Sequence, residues 1–287
     1  MFVVKEVNAR VMGIGVELVG NDGRLWKVNQ LLFADDTALV ADSEEGLKRI
    51  VSEFSRVCER RKLKVNVRKS KVMRCTRRDD GSRLNVCVDG ERMEEVESFK
   101  YLGSHIETKG GVEVEVGYRV SEASKCLGGL KSVMSNRNLG MEAQRKLYEG
   151  VIVPTALYGA ETWNIREAEK KRLNAMEMRC LRGMAGVSIM DRVRNEEVRK
   201  RTGVEKRLSD RVEQSGLRWY GHVERMNEER LVKRVWEAET KGKRPRGRPR
   251  RRWMDGVRKS LDARRLTVEQ GVEKVGDREG WREIVIG

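Results

Sequence analysis

Short apolar runs rich in strand-forming residues alternate with turn residues in the first hundred positions of this chain. Val28 to Phe33 and Thr37 to Ala41 are two such runs, and the acidic pair Asp35-Asp36 stands between them. Polar residues of this kind between two strand patterns favour a tight turn. The pattern therefore predicts a β-hairpin that carries both carboxylates at its turn.

A helix is predicted directly after this hairpin. Ser43 is a suitable N-cap, and Glu44 and Glu45 match the positive charge of a helix start. Apolar residues then recur at steps of three and four, which predicts one buried face. These residues are Leu47, Ile50, Val51, Phe54, Val57 and Cys58.

Strand patterns return after the helix. Residues 63–67 alternate, and residues 71–75 form a second strand pattern. Residues 84–88 and 99–106 are predicted to pair with each other, with Asp89-Gly90 as the turn signal between them. Residues 1–110 are therefore predicted to be an α+β unit with a mostly antiparallel sheet.

The pattern becomes helical from Gly117 onward. Apolar stripes at helical spacing continue to Pro154, and the Met and Leu residues in them are core positions. Three later helices are predicted at 165–184, 208–226 and 228–238. The chain thus divides into an α+β part at 1–110, a helical part at 111–160 and a further helical part at 161–287.

Charge separates the two halves of the chain. The net charge is +16, and residues 161–287 carry 34 basic against 22 acidic residues, whereas residues 1–160 carry 27 against 23. A basic excess of this size favours a polyanionic partner, whose binding would weaken steeply with salt. A solvated basic face is the simpler alternative.

One segment, residues 243–252, holds seven basic residues and two of the three prolines. Its prolines exclude a helix and a central strand. Arg-Gly-Arg between prolines has the shape of a segment that enters an A·T minor groove. Generic phosphate contact is favoured over groove binding because it needs no special geometry, and a basic linker or a nuclear localisation signal would have the same sequence pattern. The predicted nucleic-acid-binding residues are Lys243, Arg244, Arg246, Gly247, Arg248, Arg250, Arg251 and Arg252.

Other function classes find little support in the sequence. The five cysteines show no CxxC spacing and only two histidines could join them, which argues against a zinc site and for a reducing compartment. The first ten residues do not resemble a signal peptide, and the most apolar stretch, 151–160, is too short to span a membrane. The sequence therefore predicts an intracellular chain without a membrane partner.

Several motifs, in order and spacing, together resemble the reverse transcriptase of non-LTR (LINE-type) retrotransposons, specifically its C-terminal part. The Asp pair alone is usually only a turn, although one or two carboxylates with waters and phosphates can hold Mg²⁺. The motifs that carry the resemblance are Leu31–Thr37, Leu63–Asn66 with Lys69–Lys71, Phe99–Gly103, Leu147–Gly159, Arg218–Met226 and Gly247–Asp255.

The resemblance implies a partial palm at 1–110, thumb-like helices at 111–160 and a basic nucleic-acid-binding tail. It further implies RNA-templated DNA synthesis, with an RNA template, a DNA primer and dNTP as partners. Asp35 and Asp36 would be catalytic and would bind Mg²⁺. Lys69 or Lys71 would lie near the triphosphate, and both remain candidates. The primer end would rest on Tyr101, Leu102 and Gly103.

The chain departs from this family's pattern at its front. Only Glu6, Glu17 and Asp22 precede Asp35 as acids, and none lies in a matching motif. The sequence therefore suggests an N-terminally truncated copy that is inactive alone. Two other functions stay open: a non-catalytic nucleic-acid binder that uses the C-terminal half, and a metal nuclease built from the Asp pair and a lysine. The nuclease would release nicked product without dNTP.

Overall fold

We analysed the chain in a computed structural model that describes residues 2–11, 13–20, 23–75, 81–136, 138–238 and 251–287. The chain forms two compact units. Unit 1 comprises residues 1–110 and 227–247, and unit 2 comprises residues 111–226 and 248–287. Unit 1 holds the strands and unit 2 is helical, so the predicted α+β class is confirmed.

Unit 1 combines short strands with one long helix, α2, and two shorter ones. Its helices are α1 Phe2–Arg10, α2 Glu44–Arg60 and, from the second chain segment, α10 Leu231–Glu237. Its strands are β1 Val16–Val19, β2 Leu25–Val28, β3 Gln30–Phe33, β4 Asp36–Leu39, β5 Lys71–Val72, β6 Cys87–Val88, β7 Glu91–Arg92, β8 Glu94–Glu95, β9 Ser98–Tyr101 and β10 Ser104–Glu107. In the described residues these strands form separate two-stranded ladders instead of one sheet; all are antiparallel except β5–β8.

Helix α2 organises unit 1, and its predicted cap and buried stripe are confirmed. The Ser43 hydroxyl accepts a hydrogen bond from the Gly46 amide at 3.2 Å. One edge of the stripe, with Val51, packs against apolar residues of the strand region, while Ile50 and Val57 pack against α1. Leu39 of β4 contributes to both of these cores. The acidic hairpin is therefore fixed to α2 through its second strand.

The predicted hairpin forms between β3 and β4, with a shift at its turn. Phe33 pairs with Asp36, so the turn consists of Ala34 and Asp35. Ala34 has φ 51°, a left-handed conformation that L-residues other than Asn and Asp rarely adopt. Asp36 is thus the first residue of a strand and not a turn residue, because the ladder closes one pair further than the sequence pattern suggests.

Two predicted strands are wrong or shorter than predicted. Residues 63–67 form no strand; instead the Lys69 and Ser70 amides bond to the Asn66 carbonyl at 3.2 and 3.0 Å, which makes a turn. Val65 and Val67 still pack on the core, and this explains the alternation in the sequence. The predicted strand 71–75 is reduced to β5, because only its first two residues find a partner, in β8.

The predicted pairing of residues 84–88 with 99–106 is also wrong. Asp89-Gly90 does form a turn, with both residues at positive φ, but it joins β6 to β7. Residues 99–106 fold back on themselves, and β9 pairs with β10 across a Leu102-Gly103 turn. Leu102 has φ 48° and Gly103 has φ 86°. The sequence misled here because Leu-Gly lacks the usual Asn or Asp of this turn type.

Unit 2 consists of helices around one large core. They are α3 Glu113–Gly129, α4 Lys131–Met134, α5 Met141–Leu147, α6 Val153–Ala156, α7 Glu167–Met184, α8 Asn195–Thr202, α9 Leu208–Glu224, α11 Trp253–Asp262, α12 Val268–Val275 and α13 Arg278–Ile286. No helix in the described part of the chain is long and apolar enough to cross a membrane. The thumb-like role of residues 111–160 stays a prediction.

The helix predicted to end at Pro154 continues past it. Residues Tyr148–Ile152 adopt a π-helical turn between α5 and α6. A proline inside an α-helix removes one hydrogen bond and clashes with the carbonyl four residues earlier. A wider turn next to the proline relieves this conflict, so the chain stays helical to Ala156.

A buried carboxylate connects four segments of unit 2. Glu177 on α7 is 0% exposed and accepts a hydrogen bond from the Tyr148 hydroxyl at 2.7 Å. Arg199 of α8 binds the same carboxylate at 2.5 Å, and the Leu208 amide, at the start of α9, donates to it at 3.3 Å. Burial and the Glu177 charge raise the pKa of the Tyr148 hydroxyl well above its usual value, so it remains a donor.

The C-terminal helices pack on α9. Trp281 of α13 donates a hydrogen bond from its indole Nε1 to the Leu217 carbonyl at 3.2 Å, and its ring contacts the Tyr220 ring. A Cβ at position 221 would overlap the Trp281 indole, so Gly221 is the only residue that fits without rearrangement. This contact explains Tyr220-Gly221 in the motif Arg218–Met226 by packing.

Replacing Glu177 by alanine is expected to lower the free energy of unfolding of unit 2 by about 3–5 kcal/mol, because Arg199 would be left as a partly buried charge without its partner. Urea denaturation followed by circular dichroism measures this loss. Glu142→Ala is the control, since the Glu142–Lys146 pair lies at the surface and contributes about 0–1 kcal/mol. Equal losses in the two variants would contradict the central role of Glu177.

Replacing Leu102 by asparagine is expected to raise the free energy of unfolding of unit 1 by about 1 kcal/mol, because asparagine tolerates the left-handed backbone at φ 48° better than leucine. Leu102→Ala, which keeps the strain, serves as the control. Thermal denaturation of both variants decides: no difference between them would show that the turn stores no strain.

Candidate functional site

The Asp35-Asp36 pair lies at an exposed turn of the β3–β4 hairpin. Both carboxylates are exposed, and the backbone below them is held by the ladder and by a hydrogen bond from the Val40 amide to the Asn29 carbonyl at 2.9 Å. At the far end of β3 the buried Gln30 side chain bonds to Asn8 of α1 at 2.5 Å. The pair is therefore presented to solvent on a hairpin whose base is fixed.

The apolar surface beside the pair is unusual for a strand. Leu31, Leu32 and Phe33, which lead into the turn, are all exposed, and Phe33 is 63% exposed. In the described part of the chain β3 pairs only with β4. The acidic turn thus follows a strand, β3, whose apolar side chains are exposed to solvent.

Tyr101, a second predicted site residue, is the last residue of β9. Burial and the negative charge of Asp36 both raise the pKa of the Tyr101 hydroxyl. Leu102 and Gly103 form the turn that follows. The predicted primer-binding residues and the acidic hairpin thus both lie in unit 1.

The two candidate lysines differ in their partners. Lys71 on β5 forms an ion pair with Glu94 of β8, with 2.5 Å between Nζ and Oε2. Lys69 lies in the exposed turn after residue 66, where its amide also contacts the Asn66 side chain at 3.2 Å. Its ammonium group makes no ion pair with any described residue. Sequence reasoning left this choice open because Glu94 becomes a neighbour of Lys71 only through the parallel ladder.

The residues present suit a divalent cation in type but not in number. Two adjacent exposed carboxylates are oxygen ligands of the kind that Mg²⁺ accepts along with water and phosphate. Within the described residues, however, no group of three or more Asp, Glu, His or Cys side chains could hold a metal ion. Two carboxylates can hold a cation when water, a substrate or another chain supplies the remaining ligands.

Most of the predicted basic segment lies outside the described residues, namely Lys243, Arg244, Arg246, Gly247, Arg248 and Arg250. The last two arginines directly precede helix α11, and Arg252 is its N-cap residue. The Arg251 guanidinium donates to the Ile165 carbonyl at 3.0 Å, and the Arg252 amide bonds to the Asp255 carboxylate at 2.6 Å as a helix cap. Arg251 is thus tied to unit 2 through its side chain, while the Arg252 side chain is exposed.

Comparison with known proteins gives a consistent result. Residues 4–106 match the family model for reverse transcriptase (RNA-dependent DNA polymerase). A transposon-derived protein of Caenorhabditis elegans is 24% identical over 270 residues, which cover 90% of this chain and 95% of that protein. No solved structure matches the chain.

A second relative is the retrovirus-related Pol polyprotein of the type-1 retrotransposable element R1 of Nasonia vitripennis. It is 26% identical over 165 residues, which cover 49% of this chain and 42% of the polyprotein. The matched family region contains the acidic hairpin, both lysines and Tyr101. Residues 4–106 are thus similar to reverse transcriptases, and the chain resembles proteins derived from transposons and retrotransposons.

Proposed function

We propose that this chain binds a primer–template and that its acidic hairpin belongs to an RNA-directed DNA polymerase site. The observation that carries the proposal is the exposed pair of adjacent carboxylates on the β3–β4 hairpin, within the region that matches the reverse transcriptase family. Such a pair can hold a cation when water and a nucleotide substrate supply the remaining ligands. RNA template, DNA primer and dNTP are the corresponding partners.

Asp35 and Asp36 would hold Mg²⁺ together with water and the triphosphate of the incoming nucleotide. When bound, the ion lowers the pKa of an attacking 3′-hydroxyl and stabilises charge on the pyrophosphate leaving group. Asp36 is fixed by its place in β4, whereas Asp35 belongs to the turn and can adjust to its ligand. We assign the direct ligand role to both carboxylates.

Lys69 is the better candidate for the triphosphate. Lys71 is already neutralised by Glu94, and using it for phosphate would cost that ion pair. Lys69 is exposed and makes no ion pair with a described residue, so its charge is available for an anion. The turn that carries it is held by bonds to Asn66. We therefore assign neutralisation of the leaving group to Lys69.

Polymerisation by this chain alone is expected to be slow. Catalytic groups that act as a unit lose orders of magnitude in rate when a member is missing. Among the described residues, no third carboxylate joins Asp35 and Asp36. Binding of nucleic acid does not depend on that ligand, so we infer that binding exceeds catalysis in the isolated chain.

Asp35→Asn is expected to abolish Mg²⁺-dependent primer extension on an RNA template and to remove the Mg²⁺-dependent gain in primer–template affinity when dNTP is present. Asp42→Asn, an exposed acid a few residues later, is the matched control and should behave like the parent chain. Extension assays and fluorescence anisotropy measure the two effects. An Asp35→Asn chain that matches the parent in both would contradict the site, and nicked product formed without dNTP would indicate a nuclease instead.

Non-catalytic nucleic-acid binding by the C-terminal half is the second candidate function. The observation that favours it is the net charge of residues 161–287, 34 basic against 22 acidic residues. Such a surface binds phosphates without any metal ion. Under this function the Arg/Pro/Gly segment supplies the contacts and the acidic hairpin contributes nothing.

Neutralising Arg246 and Arg248 to glutamine is expected to reduce the slope of log affinity against log salt for duplex DNA by about 2, because each lost phosphate contact removes about 0.9 from that slope. Arg278→Gln with Arg282→Gln, both exposed on α13, is the charge-matched control. Anisotropy titrations over a series of salt concentrations give the slopes. An unchanged slope after removal of Arg246 and Arg248 would exclude the segment as the binding surface.

A further inference from the structure

The loop between α7 and α8 presents two apolar side chains to solvent. Ile189 is 80% exposed and Met190 is 88% exposed. No other large apolar side chain in the described part of the chain is as exposed as either of them. We call residues 188–192 the apolar tip. Single exposed apolar residues are common, so the meaning of this pair depends on how the loop holds them.

The apolar tip is braced by hydrogen bonds. The Ser188 amide donates to the Asp191 carboxylate at 2.6 Å, and the Met190 amide donates to the Ser188 hydroxyl at 3.1 Å. The Arg192 amide closes the turn on the Ile189 carbonyl at 3.1 Å. The hydrogen bonds from Ser188 also lower the pKa of the Asp191 carboxyl. The loop thus fixes its own backbone with its apolar side chains directed outward.

The base of the tip is anchored in unit 2. Arg182, in the last turn of α7, donates to the Ser188 carbonyl at 3.2 Å and to the Val193 carbonyl at 2.8 Å. It also contacts the Asn195 side chain at 2.9 Å. Val187 and Val193, on either side of the tip, pack against the helical core. The backbone that carries Ile189 and Met190 is therefore already ordered, so binding costs little backbone entropy.

Two arginines lie on the C-terminal side of the apolar tip, ahead of the acids Glu196 and Glu197, of which Glu197 is paired with Arg201. Arg192 belongs to the tip, with φ 51°, and Arg194 follows directly before α8. Both are exposed, and neither guanidinium forms an ion pair with a described residue. Asp191, the one acid of the tip, is occupied by the loop amides. The centre of the apolar tip therefore presents Ile189 and Met190, and the cationic side chains of Arg192 and Arg194 follow directly in the chain.

We propose that the apolar tip is a wedge that inserts Ile189 and Met190 between bases of a nucleic-acid duplex while Arg192 and Arg194 bind the flanking phosphates. Proteins that unstack bases use apolar side chains of this size, supported by arginines or lysines. Arg192 and Arg194, which form no ion pair with a described residue, favour an anionic partner such as a phosphate backbone. The proposal rests on the proposed nucleic-acid binding and adds where and how the duplex is contacted.

The test uses the full chain and a set of primer–template duplexes with 2-aminopurine at successive positions. Insertion of a side chain unstacks the neighbouring base, so the fluorescence of one or two positions should rise on binding. Ile189→Ser with Met190→Ser should abolish that rise and weaken binding by at least about tenfold, because burial of even one apolar side chain provides about that factor. The slope against salt should stay unchanged, because no charge is removed.

Two matched variants separate the contributions. Val272→Ser with Ile286→Ser removes two other exposed apolar residues of unit 2 and should leave fluorescence and affinity unchanged. Arg192→Gln with Arg194→Gln should reduce the salt slope by about 2. Because all these side chains are exposed, circular dichroism should show no loss of folding in any variant.

Three results would overturn the wedge. In the first, the parent chain binds duplex with salt dependence, and the double variant Ile189→Ser with Met190→Ser has the same affinity and fluorescence as the parent. Nucleic-acid binding would then stand without the wedge. The second is a double variant that loses self-association, measured by sedimentation, or binding to vesicles of phosphatidylserine and phosphatidylcholine, while its duplex-induced fluorescence matches that of the parent chain. The third is absence of duplex binding by the parent chain at low salt, which would refute the proposed binding as well.

Discussion

A carboxylate that loses all contact with water needs donors from the protein, and Glu177 obtains them from three segments other than its own helix. Tyr148 comes from the π-helical turn, Arg199 from α8 and the Leu208 amide from the start of α9. A buried ion pair contributes little net stability compared with an apolar core, but breaking one partner is costly. The role of Glu177 is therefore to specify one arrangement of these helices, and the core around it supplies the stabilisation.

This arrangement has chemical consequences for its neighbours. Burial and the Glu177 charge raise the pKa of the Cys180 thiol to about 12, so this cysteine is an inert core residue at neutral pH. Arg211 forms a two-bond ion pair with Glu149, at 2.6 Å for each bond, next to Tyr148. The π-helical turn is thus held on both sides by charged groups of other helices. A segment that would otherwise be weakened by Pro154 becomes one of the best-connected parts of unit 2.

The sequence was informative where a local pattern decides the structure. The Ser43 cap and the stripe of α2 follow from capping and spacing, α3, α7 and α9 of unit 2 follow from spacing, and the acidic hairpin follows from two apolar runs. The apolar pattern did not indicate helices α8, α11, α12 and α13. Strand pairing was less accessible, because it depends on contacts between distant residues. Residues 63–67 alternate like a strand but only pack on the core, and Leu102-Gly103 turns without the usual Asn-Gly. For the same reason the difference between Lys69 and Lys71 required the β5–β8 ladder.

Leu39 belongs to the core on each side of α2 and also to the strand that begins with Asp36. Displacing β4 would therefore expose apolar surface on both sides of the helix at once. Local opening of a protein proceeds in cooperative units that share such contacts. The amides of β4 should accordingly exchange with solvent through the same opening as those of α1 and α2, with one common free energy of opening. The carboxylates of the acidic hairpin are exposed to solvent, yet the hairpin unfolds locally only together with α2.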